Sequence, residues 1–132
     1  MNTNSFLLLR LAIGASMLGH GLVRLSKLET FSHWMMGSFA KSILPQALVV
    51  PFSYVLPIAE FIIGLLLITG LFTKPALIAG SLVMIILVFG TCMIENWEAL
   101  PSQLLHVTFF TVLLQFIGSN SWAIDQLLIK QN

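Results

Sequence analysis

A few polar side chains interrupt long apolar runs of this sequence, and Glu60 is the one whose chemistry most needs an explanation. It is the only charged residue between positions 54 and 70. An ionised carboxylate is expensive inside a lipid bilayer, so such a residue faces other protein, lies in a wet cavity or is protonated. Glu60 is therefore a candidate for handling a ligand or a proton. The competing interpretation is a structural ion pair or hydrogen bond with Arg10 or His20.

Histidines on two other apolar segments are candidates to act with Glu60. At 1.5 Å of rise per residue, His20 and His106 lie at similar depth, roughly 6 to 7 Å from the middle of their predicted helices. Arg24 and Gln103 lie further toward the same side. A pocket that opens on this side would bring these four residues together with Glu60, and either Arg24 or Arg10 would supply its counter-charge.

Other uses of these residues are open at this point. Two histidines at matched depth also suit bis-histidine haem ligation, but in small bundles such pairs more often hydrogen bond between helices, so haem is disfavoured. No metal site is predicted. Arg10 and Arg24 lie near helix ends, where a long side chain can extend its charge toward the membrane surface. Cys92 is best explained as a small packing residue.

The composition identifies the environment in which these side chains must function. Of the 132 residues, 58% are hydrophobic and 8% are charged, and the mean hydropathy is +0.98. Soluble domains are about a quarter charged, so this chain is a membrane protein. The net charge of +1, with scattered cations, excludes a nucleic-acid surface. A single cysteine excludes a disulfide or a Cys-x-x-Cys redox pair within one chain.

Four apolar runs, at 6–25, 47–72, 75–94 and 100–118, have the length that a membrane-spanning helix needs. We therefore predict an all-α integral membrane protein, a four-transmembrane-helix bundle forming one domain over 1–132. The first run is interrupted by Arg10 and is too long for a signal peptide, so it is expected to be retained. Charge does not set the orientation, because lysine and arginine are divided equally between the two sides.

The connections and helix faces lead to more detailed predictions. Between the first two spans, large apolar residues recur at helical spacing among charged ones, which predicts a short amphipathic interfacial helix; these are Phe31, Trp34, Met35 and Phe39. Gly70 is expected near the end of the second span, which runs to residue 72, and Pro75 is expected to begin the third. Gly64 would let another helix approach closely. A polar stripe on the first helix is expected to face the bundle interior; it comprises Arg10, Met17, His20, Gly21 and Arg24.

Several stretches together resemble the DoxX family of small four-helix membrane proteins. They are LLRLAIG at 8–14, GHGLVRL at 19–25, AE at 59–60 followed by Gly64, GLFTK at 70–74, and AID at 123–125. The resemblance implies a protein of the bacterial cytoplasmic (inner) membrane with both termini in the cytoplasm. It also implies a link with quinone or other redox chemistry, whereas related animal proteins resemble receptor-assembly chaperones.

Combined with the polar residues, the resemblance suggests a redox-associated subunit that binds a small quinone-like or anionic substrate. Glu60 and His20 are then the predicted catalytic residues, and the substrate-binding residues are Arg10, Arg24, Gln103 and His106. Without a cysteine pair or a flavin or nucleotide motif, electrons must come from a partner redox protein or a bound cofactor. The rival interpretation is a non-catalytic membrane scaffold or assembly chaperone. Small residues on the first helix would also permit self-association.

Overall fold

The computed structural model describes residues 1–129, which form six α-helices and one 3-10 turn. The helices are α1 (Thr3–Leu25), α2 (Leu28–Phe39), α3 (Gln46–Thr69), α4 (Thr73–Met93), α5 (Leu100–Gln115) and α6 (Ile124–Ile129), with the 3-10 turn at Ile117–Ser119. The protein is therefore all-α, as predicted. Three helices are long and apolar enough to cross a membrane: α1, α3 and α4.

The fourth predicted span is a shorter helix than the sequence suggested. α5 has 16 residues, which corresponds to about 24 Å of rise, against a hydrocarbon core of roughly 30 Å. The 3-10 turn follows after Phe116, so the segment from 100 to 118 is not one continuous α-helix. A fourth crossing therefore stays a prediction.

Two close helix pairs form the bundle. α1 and α3 pack tightly because Gly21 lies against the backbone of Phe61 and Gly64 lies against the backbone of Leu18. A side chain at either glycine would collide with the opposite helix, so the predicted close approach at Gly64 is confirmed. In the second pair, α4 presents Gly80 beneath the ring of Phe110 on α5.

A shared apolar core joins the two pairs. It contains buried residues of α1, α3, α4 and α5, namely Phe6, Ile13, Met17, Ile63, Leu67, Ala76, Leu77, Met84, Phe110 and Leu113. Large apolar residues on the outer surfaces remain exposed, including Ile78, Leu82 and Ile85 on α4. In a membrane these side chains contact lipid, which removes the usual cost of their exposure.

The amphipathic segment between the first two spans is confirmed as a helix, α2. It is fixed to α3 by a buried hydrogen bond between the hydroxyls of Ser32 and Ser53, 2.7 Å apart, and by the packing of Met35. Trp34 on the same helix remains more than half exposed. The position of α2 at the membrane surface stays a prediction.

The α3–α4 turn follows the sequence pattern in part. Gly70 ends α3 in the left-handed conformation, with φ of 69°, as its residue type predicts. α4, however, begins at Thr73, two residues before Pro75, so the predicted helix start at Pro75 is wrong. The physical reason is an external cap. The Asp125 carboxylate accepts hydrogen bonds from the backbone N–H groups of Phe72 and Thr73, at 2.7 and 2.9 Å.

Candidate functional site

An ion pair between α1 and α3 stands at the centre of the candidate site. Arg24 Nη1 donates to Glu60 Oε1 at 2.5 Å, and the Glu60 side chain is only 2% exposed whereas that of Arg24 is 27% exposed. Glu60 therefore does take part in an ion pair, as the competing interpretation held, but its partner is Arg24 and neither Arg10 nor His20. Arg24, and not Arg10, supplies the counter-charge of Glu60.

The register of the α1–α3 contact explains this pairing. Leu18 lies opposite Gly64 and Gly21 lies opposite Phe61 in the antiparallel pair. Continuing along α1 by one turn brings Arg24 beside the turn of α3 that contains Glu60. The long arginine side chain then extends inward to the carboxylate.

A cavity of about 410 Å³ lies beside Arg24, between α2, α3, α4 and the start of α5. Its walls are mainly apolar and include the rings of Phe31, Trp34, Phe39, Phe52 and Phe89. The Arg24 guanidinium lies 4.8 Å from the centroid of the Phe31 ring, an arrangement that favours a cation–π contact. Polar side chains also line the cavity, namely Arg24, Thr91, Asn96 and Gln103.

Gln103 is held in a definite orientation on this cavity. Its amide nitrogen donates to Thr91 Oγ1 at 2.8 Å. Its carbonyl oxygen is buried, and within residues 1–129 no hydrogen-bond donor reaches it. The second carboxylate oxygen of Glu60, Oε2, is also buried, and no hydrogen-bond donor among the residues that the structure describes reaches it. Glu60 itself lies one helical turn beyond Leu56, which lines the cavity.

The two histidines form a separate pair on the other side of Arg24. Each Nδ1 lies 2.8 Å from the carbonyl oxygen four residues earlier, that of Ser16 for His20 and that of Ser102 for His106. A carbonyl only accepts, so both Nδ1 atoms donate. In the neutral rings Nε2 is then the basic nitrogen, and His106 Nε2 accepts from the Ser16 hydroxyl at 2.9 Å.

His20 lines a shallow groove, and neither histidine lines the main cavity. The imidazole centroids are 6.2 Å apart in an edge-to-face arrangement. His20 is exposed, so the prediction that the whole polar stripe of α1 faces the interior is wrong at this position. The groove, of about 380 Å³, is lined by Ala15, Ser16, Gly19, His20, Val23 and Arg24.

Arg10 lies at the opposite end of α1, apart from the cavity and the groove. It is 2% exposed and donates to Asn120 Oδ1 at 3.0 Å and to the carbonyl of Trp122 at 2.7 Å. Asn120 in turn donates to Thr73 Oγ1 at 3.0 Å. The structure therefore brings Arg24, Gln103 and Glu60 to one site, places His20 and His106 beside it, and separates Arg10 from all of them.

The sequence did not reveal several residues of the cavity beside Arg24 or of the cluster around Arg10. Thr91 and Asn96 were not predicted to line a pocket, although Thr91 is one of the few polar residues on α4. The aromatic residues of α2 that line the cavity, Phe31, Trp34 and Phe39, are expected from the sequence at the membrane surface. The reason is that helical periodicity identifies an apolar face but does not show which part of the protein that face will contact. Asn120 and Thr73 carried no signal, since their role depends on contacts between segments far apart in sequence.

The family model described as DoxX matches residues 5–93, two thirds of the chain. The chain belongs to the DoxX family. No curated protein and no solved structure matches it. Three of the stretches that carry the DoxX resemblance, at 8–14, 70–74 and 123–125, meet around Arg10, where Asp125 also donates its backbone N–H to the Gly70 carbonyl at 3.0 Å.

Among residues 1–129 of this DoxX protein, no three His, Cys, Asp or Glu side chains cluster as a metal site would require. What the arrangement offers chemically is an apolar cavity with hydrogen-bonding groups and a cation among its lining residues. The buried carboxylate of Glu60 pairs with the Arg24 cation. The imidazoles of His20 and His106 lie on the side of Arg24 away from the cavity.

Proposed function

We propose that this DoxX family protein is a membrane subunit that binds a small quinone-like amphiphile in the cavity beside Arg24. The observation that carries the proposal is the cavity itself, about 410 Å³ with aromatic walls and polar lining groups at Arg24, Thr91 and Gln103. Ligand sites for small molecules are commonly 300–1,000 Å³, mainly apolar, with a few placed polar groups. A flat ring with one or two oxygens matches this chemistry.

In this proposal the residues keep the roles predicted from the sequence, with two changes: Arg10 leaves the site, and His106 joins the proton relay instead of binding the ligand. Arg24 and Gln103 contact the ligand oxygens, Glu60 holds Arg24 and accepts a proton, and His20 with His106 connects Glu60 to the groove. Arg10 is omitted from the site because it lines neither the cavity nor the groove and its two terminal nitrogens donate to Asn120 and Trp122. Electrons for reducing the ligand would come from a partner redox protein or a bound cofactor, because the single cysteine cannot form a dithiol pair within one chain. The two protons that this reduction consumes would reach the ligand through Glu60, which accepts each from the histidine side and passes it on.

The proposal includes a fourth crossing by α5 in an inner membrane with both termini in the cytoplasm. The buried Phe110 and Leu113 support the crossing because they place α5 in the bundle core. Its 16 residues and the three-residue 3-10 turn together rise about 30 Å, enough for the hydrocarbon core.

Trp34 provides a direct test because it is the one of the three tryptophans that lines the cavity. In a Trp97→Phe/Trp122→Phe background, a decyl-substituted benzoquinone should quench Trp34 fluorescence along a saturable curve. Gly90→Leu should weaken this binding at least tenfold, because Gly90 lines the cavity and even a Cβ there would lie 3.3 Å from the Phe39 ring.

Gly37→Leu is the matched control, since a Cβ at Gly37 meets nothing within 4 Å. It should bind as the parent does. Quenching that rises linearly with ligand, or that is identical in both leucine variants, would show simple partition into the detergent micelle and would overturn the proposal.

A second candidate function is a scaffold for another membrane protein, and the outer face of α1 favours it. Ala12, Ala15 and Gly19 are exposed on this face, and small residues let a partner helix approach closely. Co-purification of one partner that is lost on Ala15→Leu, with unchanged quinone binding, would favour this role. Retention of every partner by that variant would count against it.

A further inference from the structure

The cavity beside Arg24 has an apolar opening. Its lining includes large side chains that are each more than half exposed, and we call this rim the lateral mouth: Trp34 on α2, Leu48 on α3, and Ile86 and Phe89 on α4. Other lining residues are buried, among them Met35, Val49 and Leu56. A side chain that lines a cavity and is also exposed lies at its opening. The lateral mouth therefore connects the cavity with the surroundings of the bundle.

The lateral mouth lies at a depth where the surroundings are lipid. Counted at 1.5 Å per residue from the midpoints of their helices, Ile86, Phe89 and Leu48 lie about 4.5, 9 and 14 Å from the middle. Half of the hydrocarbon core is about 15 Å thick. The α4 side of the mouth also continues the exposed apolar face that contains Leu82 and Ile85. The mouth therefore opens to acyl chains and not to water.

The polar lining groups lie nearer the membrane surface than the α4 side of the lateral mouth. By the same count, Arg24 lies about 15 Å and Thr91 about 12 Å from the middle of its helix. Gln103 is hydrogen bonded to Thr91, and Asn96 follows the end of α4. The cavity thus has a polar end near the surface and an apolar opening at greater depth. An amphiphile in a bilayer has the same order, with its head at the surface and its chain toward the middle.

We infer that the cavity takes a membrane-dissolved amphiphile with a long aliphatic chain, whose ring lies beside Arg24 and whose chain leaves through the lateral mouth into the bilayer. This inference rests on the proposed function and deepens it, because it names lipid-borne compounds as the substrate class. The chain gains little affinity from the mouth, since lipid tails are as apolar as the side chains that form it. The mouth is instead a steric requirement, because a chain that cannot pass it must fold back into a cavity of about 410 Å³.

Narrowing the lateral mouth tests this inference on the Trp34 reporter protein in lipid nanodiscs. Leu48→Phe/Ile86→Phe adds bulk at two exposed positions of the mouth. The two ligands are a decyl-substituted benzoquinone and the same ring without the chain. We expect the variant to weaken the decyl compound about tenfold, a usual cost of overpacking an apolar contact, and to change affinity for the chainless ring less than about twofold.

Leu82→Phe/Ile85→Phe is the matched control. Both positions are about as exposed on α4 as Ile86, but neither lines the cavity. This variant should bind both ligands as the parent does.

Photolabelling locates the chain directly. A decyl-substituted benzoquinone that carries a diazirine on the fourth carbon of its chain is photolysed in the nanodiscs, with and without an excess of the unmodified compound. Peptide mass spectrometry then identifies the labelled residues. Labelling that the competitor removes should fall at Ile86 or Phe89. Labelling at Ile78, which is exposed on α4 away from the mouth, comes from compound free in the lipid and should remain.

The outcomes separate this inference from the proposed function. Unchanged affinity of the decyl compound in Leu48→Phe/Ile86→Phe, or competed labelling confined to the polar end at Asn96, would overturn the exit through the lateral mouth while leaving the binding site intact. Equal weakening of both ligands would mean that the new rings fill the cavity itself, and would overturn it as well. Absence of saturable binding of either ligand to the parent would overturn the proposed function.

Discussion

The two arginines of α1 differ in what surrounds them. Arg10 is buried in a closed cluster, where it donates to a side-chain amide and a main-chain carbonyl, and Asp125 caps the adjacent α4. Arg24 pairs with a buried carboxylate and lies on the wall of an apolar cavity. An intramembrane charge is therefore not a functional mark by itself. The difference lies in whether the neighbouring side chains leave space beside the charge, since each cluster contains a buried polar atom without a hydrogen-bond partner among the described residues, Nε of Arg10 in one and Oε2 of Glu60 in the other.

The register of α1 against α3 places both arginines, so disturbing it should affect both clusters. In Gly21→Leu the new side chain would collide with the backbone of Phe61. We expect destabilisation of about 3 kcal/mol or more, because backbone cannot move aside as a flexible side chain does. Thermal unfolding in detergent measures the effect. Gly19→Leu, where a Cβ meets nothing within 4 Å, should unfold like the parent, and equal melting of the two variants would contradict this account.

Removing Arg10 should lower stability without a selective effect on ligand binding. Arg10→Leu leaves Asn120 Oδ1 and the Trp122 carbonyl without their donor. Two charge-assisted hydrogen bonds at about 1.5 kcal/mol each predict a loss of roughly 3 kcal/mol. The measurements are the melting temperature and, well below it, the quinone dissociation constant. A weakened affinity with an unchanged melting temperature would place Arg10 at the ligand site after all.

Substitution of Arg24 should lower the free energy of unfolding more than substitution of Glu60, because only Glu60 is deeply buried. Arg24→Gln leaves a buried carboxylate without its cation and should cost about 2 kcal/mol. Glu60→Gln leaves a partly exposed arginine that water or lipid headgroups can solvate, and should cost about 1 kcal/mol or less. The double variant should resemble Glu60→Gln in chemical unfolding. Equal losses from the two single variants would show that both ends of the pair are equally buried.

Both variants should also weaken quinone binding, which distinguishes this pair from Arg10. Arg24→Gln removes the cation at the cavity and should reduce affinity about tenfold, the effect expected from loss of a charge-assisted hydrogen bond. Glu60→Gln should have the smaller effect, since Glu60 acts through Arg24. Unchanged affinity in Arg24→Gln would leave the Arg24 cluster with the same structural role as the Arg10 cluster.

Local features of the sequence account for the helices and for the candidate residues. The apolar runs predict α1, α3 and α4, Gly70 predicts the end of α3, and Gly64 marks a close contact that the structure confirms against Leu18. Glu60 was recognised because a carboxylate in an apolar run is conspicuous without any knowledge of its neighbours. These features follow from the 3.6-residue repeat of the helix and from the free energy of transferring side chains from water to lipid. Residues close together in the sequence determine both.

The tertiary structure decided which polar groups meet. Depth along a helix was estimated from residue number, but the partner of Glu60 depends on the register fixed by the contacts of Gly21 with Phe61 and of Gly64 with Leu18. The same contacts direct His20 outward and place Arg10 beside the C-terminal segment. The sequence by itself thus determined a helical membrane protein with a buried carboxylate. Only packing between helices decided that this carboxylate binds Arg24 beside a cavity, because close helix packing depends on contacts between residues about 40 positions apart.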